Sequence, residues 1–138
     1  MLDKFFEGKP DQRTREEGDG IMNTFICYER CTTCKKAQKW LDTKGVEYKV
    51  RPIKEKNPTA AELTKWIKKS GKEARKFFNT SGQLYREMGL SAKLKDMSEQ
   101  EMIDLLATDG MLVKRPLLIT DSDILVGFKE AEWEETVL

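Results

Sequence analysis

Cys31 and Cys34, in "YERCTTCKKAQKWL" (residues 28–41), are the residues of this chain best suited to chemistry. A cysteine pair at this spacing admits three readings: a redox dithiol, half of a zinc site, or two small apolar side chains packed by chance. The chain of 138 residues has one further cysteine, Cys27, and no histidine. It therefore has no Cys–His or Ser–His nucleophile pair, and it lacks the commonest zinc ligand. Zinc takes four ligands, and Cys27 lies inside the apolar run "TFICY", where a small buried hydrophobe fits best. No metal is expected. Neither a P-loop nor a GxGxxG fingerprint is present, so no nucleotide cofactor is expected either.

The flanking residues favour the redox reading. "TFICY" (24–28) is β-prone, and "TTCKKAQKWLDTKG" (32–45) has a helical apolar face at Ala37, Trp40 and Leu41, with Gly45 as its stop. Cys31 then falls at the helix N-terminus, where unpaired N–H groups and the helix dipole favour an anion such as a thiolate. Arg30, Lys35 and Lys36 add positive charge. Cys34 lies one turn further on. Cys31 is expected to attack an oxidised substrate and Cys34 to resolve the adduct as a disulfide, which an external reductant reopens. An accessible thiol with a resolving partner also describes a redox switch, and the pair alone does not choose between enzyme and switch. A third reading is a binding module whose disulfide is only structural.

The remaining elements must hold this pair. Residues 1–21 are charged and glycine-bearing with little apolar periodicity, and read as a flexible leader. Residues 22–138 read as one folded domain. "VEYKVRPI" (46–53) alternates as a second strand ending near Pro52. Capping boxes from Thr59 to Glu62 and from Ser98 to Glu101 open helices over 57–71 and 98–110. Shorter helical stretches are expected at 72–78 and 83–90. "PLLIT" (116–120), a "DSD" turn and "ILVGF" (124–128) read as a hairpin, and 129–138 as a closing helix. The order is β-α-β, a helical insertion, then β-β-α. This is an α/β chain with a mixed sheet, the order of a thioredoxin-like fold. In that fold a cis proline faces the CxxC, which by analogy is Pro116 in "VKRPLLI" (113–119). Arg115 then approaches Cys31, to support a thiolate or an oxyanion; the alternative is a solvated arginine before a strand.

These stretches, with "FFNTSGQLYREMGL" (77–90), "SEQEMIDLLATDGMLVKRPLLI" (98–119) and "VGFKEAEWE" (126–134), resemble the arsenate reductase (ArsC) and Spx-type family over about residues 23–135. Within it the chain looks like the small arsenate reductase-like branch. The resemblance implies a thioredoxin fold with a helical insertion, Cys31 as nucleophile and Arg115 as the arginine before the proline. Arsenate reductases surround the oxyanion with three arginines. Here Asn79 takes one of the other two positions, and Phe128 or Lys129 the last. Thr32 and Thr33 offer hydroxyl or N–H groups at the helix start, with Asn79, Pro116 and Lys129 at the pocket rim. Arsenate reductases of the glutaredoxin-coupled type carry one cysteine at this place, whereas Spx-type regulators often carry two. The partners implied are a thioredoxin- or glutaredoxin-like reductant and a small oxyanion or disulfide substrate. On the Spx reading, the partner is the C-terminal domain of the RNA polymerase α subunit, met through the insertion near Gly71.

Composition bounds the rest. Lys and Arg number 25 against 24 Asp and Glu, a net charge of +1 that exerts no global pull on nucleic acid or an anionic membrane. The basic stretch "KWIKKSGKEARK" (65–76) reads as a solvated helix face or a surface for an acidic partner. No transmembrane run or secretory signal is read, so a cytoplasmic location is expected, and the balanced surface suggests a monomer.

Overall fold

Strand β1 (Thr24–Cys27) is apolar along its length because it lies inside the sheet, with neighbours on both edges and cover on both faces. The computed structural model describes residues 23–138. The expected leader, residues 1–21, and Met22 lie outside the described residues. After β1 come α1 (Thr32–Thr43), β2 (Lys49–Pro52) and α2 (Ala60–Ser70). A 3-10 turn at Ala74–Phe77 leads to α3 (Gln83–Glu87), α4 (Leu90–Lys93) and a second 3-10 turn at Leu94–Asp96. Helix α5 (Glu99–Leu106), a third 3-10 turn (Gly110–Leu112), β3 (Leu117–Ile119), β4 (Ile124–Val126) and α6 (Glu130–Val137) complete the order.

The sheet order is β2-β1-β3-β4. β1 pairs parallel with β2 and antiparallel with β3, and β3 pairs antiparallel with β4. The mixed sheet and the β-α-β, insertion, β-β-α order are those expected. Alternation along the strands divides the core in two. Phe25, Cys27, Leu118 and Leu125 face α1 and α6, and join Ala37, Trp40, Leu41 and Trp133. Ile26, Leu117, Ile124 and Val126 face the insertion, and join Leu63, Trp66, Ile67, Phe77 and Leu106. The dithiol helix and the insertion thus occupy opposite faces of one sheet.

Both expected capping boxes form. The Glu62 N–H donates to Thr59 Oγ1 at 3.1 Å, and the Glu101 N–H donates to Ser98 Oγ at 3.1 Å. Helix boundaries differ from the sequence expectation where turn chemistry intervenes. The stretch 72–78 forms a 3-10 turn rather than an α-helix. The stretch 83–90 breaks at Gly89, whose positive φ of 65° starts a separate helix. Helix α5 stops at Leu106 rather than running to residue 110. Beyond it the Asn57 side chain donates to the Ala107 carbonyl, and Asp109 caps the following 3-10 turn through the Met111 N–H. Among the described residues no helix is long and apolar enough to cross a membrane.

The insertion is tied to β2 by Arg51. Its guanidinium meets both carboxylate oxygens of Glu62 at 2.8 Å, also bonds the carbonyls of Lys56 and Asn57, and lies 5.8 Å from the centre of the Trp66 ring. This bidentate pair holds the Glu62 carboxyl down at about 2; partial burial opposes that shift and the Thr59 N–H adds to it, each less strongly.

Candidate functional site

β1 ends at Cys27, and the chain turns at once. The Cys31 N–H donates to the Tyr28 carbonyl at 3.0 Å, which closes the turn and points Cys31 at the start of α1. Cys31 is the N-cap of that helix, with extended φ and ψ of −89° and 118°. In place of the usual hydroxyl or carboxylate, a sulfur caps the helix: the Cys34 N–H donates to Cys31 Sγ at 3.3 Å. No acidic side chain sits in the first turn to spend the positive field there. Thr32 and Thr33 open the helix, exposed, and Lys35 and Lys36 follow, also exposed.

The two sulfurs differ in access. Cys31 is half-buried, whereas Cys34 is 3% exposed and packs within the apolar cluster under α1. Burial pushes the Cys34 thiol far up. The Tyr28 N–H, 3.5 Å from its sulfur, opposes that rise, and the neighbouring Cys31 thiol adds to it. Cys34 therefore keeps its proton while Cys31 faces solvent. Cys27 is pushed up to about 12, first by burial and then by Cys31. As expected of a residue inside "FICY", it is a buried core side chain.

Arg115 and Asn79 come together through backbone pairing between the insertion and the segment before β3. Phe78 bridges Val113, the Asn79 N–H donates to the Leu112 carbonyl at 2.7 Å, and the Lys114 N–H donates to the Phe77 carbonyl at 2.8 Å. Both residues line a concavity of about 270 Å³ with Gly82, Gln83, Leu84, Glu87, Asp109 and Met111. The Arg115–Pro116 peptide is cis, as the fold analogy expected. The Arg115 guanidinium lies over the Tyr28 ring, 5.0 Å from its centre, and its Nη1 is buried without a hydrogen-bond partner.

Tyr28 thus touches both cysteines and Arg115. Its carbonyl closes the turn to Cys31, its N–H reaches the Cys34 sulfur, and its ring carries Arg115. The sequence reading missed it by counting it as the last residue of a strand. Its position, at the end of the apolar run and three residues before the nucleophile, was the available signal. Glu87 and Asp109 were missed too, since each reads as an ordinary solvated acid. Lys129 is the exposed N-cap residue of α6 and does not line the Arg115 cavity, and its neighbour Phe128 packs on Trp133 with ring centres 4.9 Å apart. Pro116 is buried at the head of β3, and its carbonyl accepts the Gly127 N–H at 2.8 Å. A larger concavity of about 370 Å³, lined by Gly71, Lys72, Glu73, Ala74, Arg75, Glu99 and Met102, lies in the insertion and contains none of the expected site residues.

The sequence and the fold are similar to those of known proteins. The sequence pattern of the ArsC family matches residues 27–136. The uncharacterized protein YusI of Bacillus subtilis is 50% identical over 81% of this chain and 95% of its own length. The regulatory protein MgsR of Bacillus subtilis is 26% identical over 79% of this chain and 85% of its own. The global transcriptional regulator Spx of Staphylococcus epidermidis is 24% identical over 80% and 83%. Among solved structures, an ArsC family related protein from Bacteroides fragilis superposes with a TM-score of 0.81 at 53% identity, covering 82% of this chain and 95% of that one. A structure titled a possible arsenate reductase, from Streptococcus mutans, superposes with a TM-score of 0.76 at 42% identity, covering 83% and 98%.

Proposed function

The chain belongs to the ArsC family and has its arsenate reductase-like, thioredoxin-like fold, with Spx regulators among its relatives; from that premise we propose that it is a cytoplasmic thiol–disulfide oxidoreductase. The reading is carried by one observation: the half-exposed Cys31 sulfur caps α1 and receives the N–H of a buried Cys34 one turn away. Cys31, as thiolate, attacks an oxidised substrate. With a disulfide RS–SR, a Cys31–SR bond forms and RS⁻ leaves with the electron pair of the broken bond. Cys34 then gives up its proton, attacks the Cys31 sulfur and expels the second RS⁻. The substrate gains two electrons and the Cys31–Cys34 pair becomes a disulfide. With an oxyanion such as arsenate, Cys31 displaces water to make an S–As bond, and attack by Cys34 releases arsenite as arsenic takes the electron pair. A thioredoxin- or glutaredoxin-like dithiol then restores the pair. Arg115, with Asn79 beside it, receives the anionic part of the substrate, and Thr32 and Thr33 present the helix start to it.

The test is mass spectrometry of the purified protein through one cycle. After reaction with an excess of disulfide, Cys31 and Cys34 are expected to be joined to each other, and a thioredoxin-type donor is expected to reopen them. If the two never join, or no such donor reduces them, the protein is not this enzyme.

The regulators among the relatives favour a second reading: a redox switch that binds the C-terminal domain of the RNA polymerase α subunit and turns over no substrate. The exposed Lys65, Lys68 and Lys69 of α2, and Gly71 after it, would present the insertion to that partner. Co-precipitation with that polymerase domain, oxidised against reduced, decides it. Absence of binding in both states dismisses the switch.

A further inference from the structure

The cavity beside Arg115 holds one cation against two carboxylates, Glu87 and Asp109. The three groups share the cavity without pairing: among the described residues Arg115 makes no ion pair with either acid, and its buried Nη1 has no hydrogen-bond partner. Each carboxylate is committed through one oxygen only, Asp109 Oδ1 to the Met111 N–H at 2.8 Å and Glu87 Oε2 to the Gln83 amide at 2.7 Å. A doubly charged oxyanion meets one guanidinium and two like charges here. A ligand with a carboxylate at one end and an ammonium at the other meets a complement for each.

Building on the oxidoreductase reading, we propose that this cavity selects small disulfides bearing a free α-amino acid, with the carboxylate on Arg115 and the ammonium between Glu87 and Asp109. The cavity's volume of about 270 Å³ suits one amino-acid half of such a molecule. Tyr28 connects it to the thiols, because its ring carries Arg115 and its backbone bonds both cysteines. The chemistry is the exchange already written: one R bears the zwitterion, Cys31 takes its sulfur, Cys34 releases it as a thiol, and an external dithiol supplies the two electrons. The charges of Glu87 and Asp109 thereby discriminate among disulfides that share the same reacting bond.

Four disulfides with the same reacting bond and different charge test this. They are cystine (zwitterionic), hydroxyethyl disulfide (uncharged), cystamine (cationic) and dithiodipropionate (dianionic). Single-turnover rates of the reduced protein are read by quenched mass spectrometry. One partly exposed ion pair contributes up to about five-fold in rate, so cystine is expected to react about two- to five-fold faster than hydroxyethyl disulfide. Glu87→Gln is expected to lower that ratio by about the same factor, and to raise the rate of dithiodipropionate relative to cystine. Equal rates for cystine and hydroxyethyl disulfide, or a ratio indifferent to Glu87→Gln, overturn the zwitterion site and leave the dithiol chemistry standing. If none of the four reacts, the disulfide-exchange arm of the oxidoreductase reading falls, and this inference with it.

Discussion

Gly110→Ala is expected to be among the most damaging one-carbon additions to this chain. Gly110 is buried in the 3-10 turn that leads to Arg115, and a Cβ built there would stand 1.9 Å from the Ile53 carbonyl oxygen, 2.8 Å from its carbon and 3.1 Å from Asn57 Cβ. The obstacle is backbone, and it is held in place. The Ile53 N–H bonds the Cys27 carbonyl at 2.8 Å, and the Ile53 side chain is fully buried. Overpacking a core costs about 1–3 kcal/mol, and a fixed backbone obstacle puts this case at about 3 kcal/mol. With a urea dependence of about 1.5 kcal/mol per molar for a small domain, the unfolding midpoint should fall by about 2 M. Gly71→Ala is the control: nothing lies within 4 Å of its added carbon, but its φ of +73° still strains an alanine, at a cost of about 1 kcal/mol. Urea titrations followed by tryptophan fluorescence compare the two. A midpoint for Gly110→Ala at or above that of Gly71→Ala would refute the close-approach reasoning. Because Asp109 and Met111 line the Arg115 cavity, surviving Gly110→Ala protein should also lose activity beyond its loss of stability.

Further outcomes follow from the same geometry. Cys34→Ser should accumulate a stable mixed disulfide on Cys31, visible by mass spectrometry, whereas Cys31→Ser should form none at residue 34; adduct on the buried sulfur would reverse the assigned roles. Tyr28→Leu should lower kcat/KM about two- to five-fold by removing the platform under Arg115, while Tyr28→Phe, which keeps the ring, should stay near wild type. Glu62 ionises at about 2 in the folded protein against an ordinary 4.5, so its contribution is complete above about pH 4.5 and declines as the pH falls toward 2. Its side chain is 36% exposed, and screening limits that contribution to about 1 kcal/mol or less. Stability measured between pH 6 and 3 should therefore fall less steeply in Glu62→Gln, and an unchanged slope would show the Arg51 pair to be energetically silent.

Much of this was legible from residue order because the signals are local. The strand–CxxC–helix start needs only an apolar run, a cysteine at the N-cap and a helical face at Ala37, Trp40 and Leu41, all within a short span. The capping boxes at Thr59 and Ser98 are four-residue patterns and mark the helix starts correctly. What sequence could not show depends on distant pairing. The Asn79–Arg115 cavity exists because Phe78 bridges Val113 and the Lys114 N–H meets the Phe77 carbonyl, contacts that no periodicity encodes. Glu87 and Asp109 look like surface acids until those contacts bring them together. Helix α5 reads as longer than it is because its apolar pattern runs on while Asp109 and Gly110 form a tighter turn. Lys129, read as a pocket-rim residue by resemblance alone, is the N-cap residue of α6 and lies outside the lining of the Asn79–Arg115 cavity.

On the oxidoreductase reading, the unequal depth of the two sulfurs also bears on what peroxide would do to the protein. An oxidant from solvent reaches Cys31 first and converts it to a sulfenic acid. On the same reading Cys34, buried one turn along and with its N–H on the Cys31 sulfur, would supply the thiol that condenses with it, expelling water and closing a disulfide before a second oxygen is added. Peroxide damage would thereby be diverted from the irreversible sulfinic state into the same bond that the proposed cycle makes and opens.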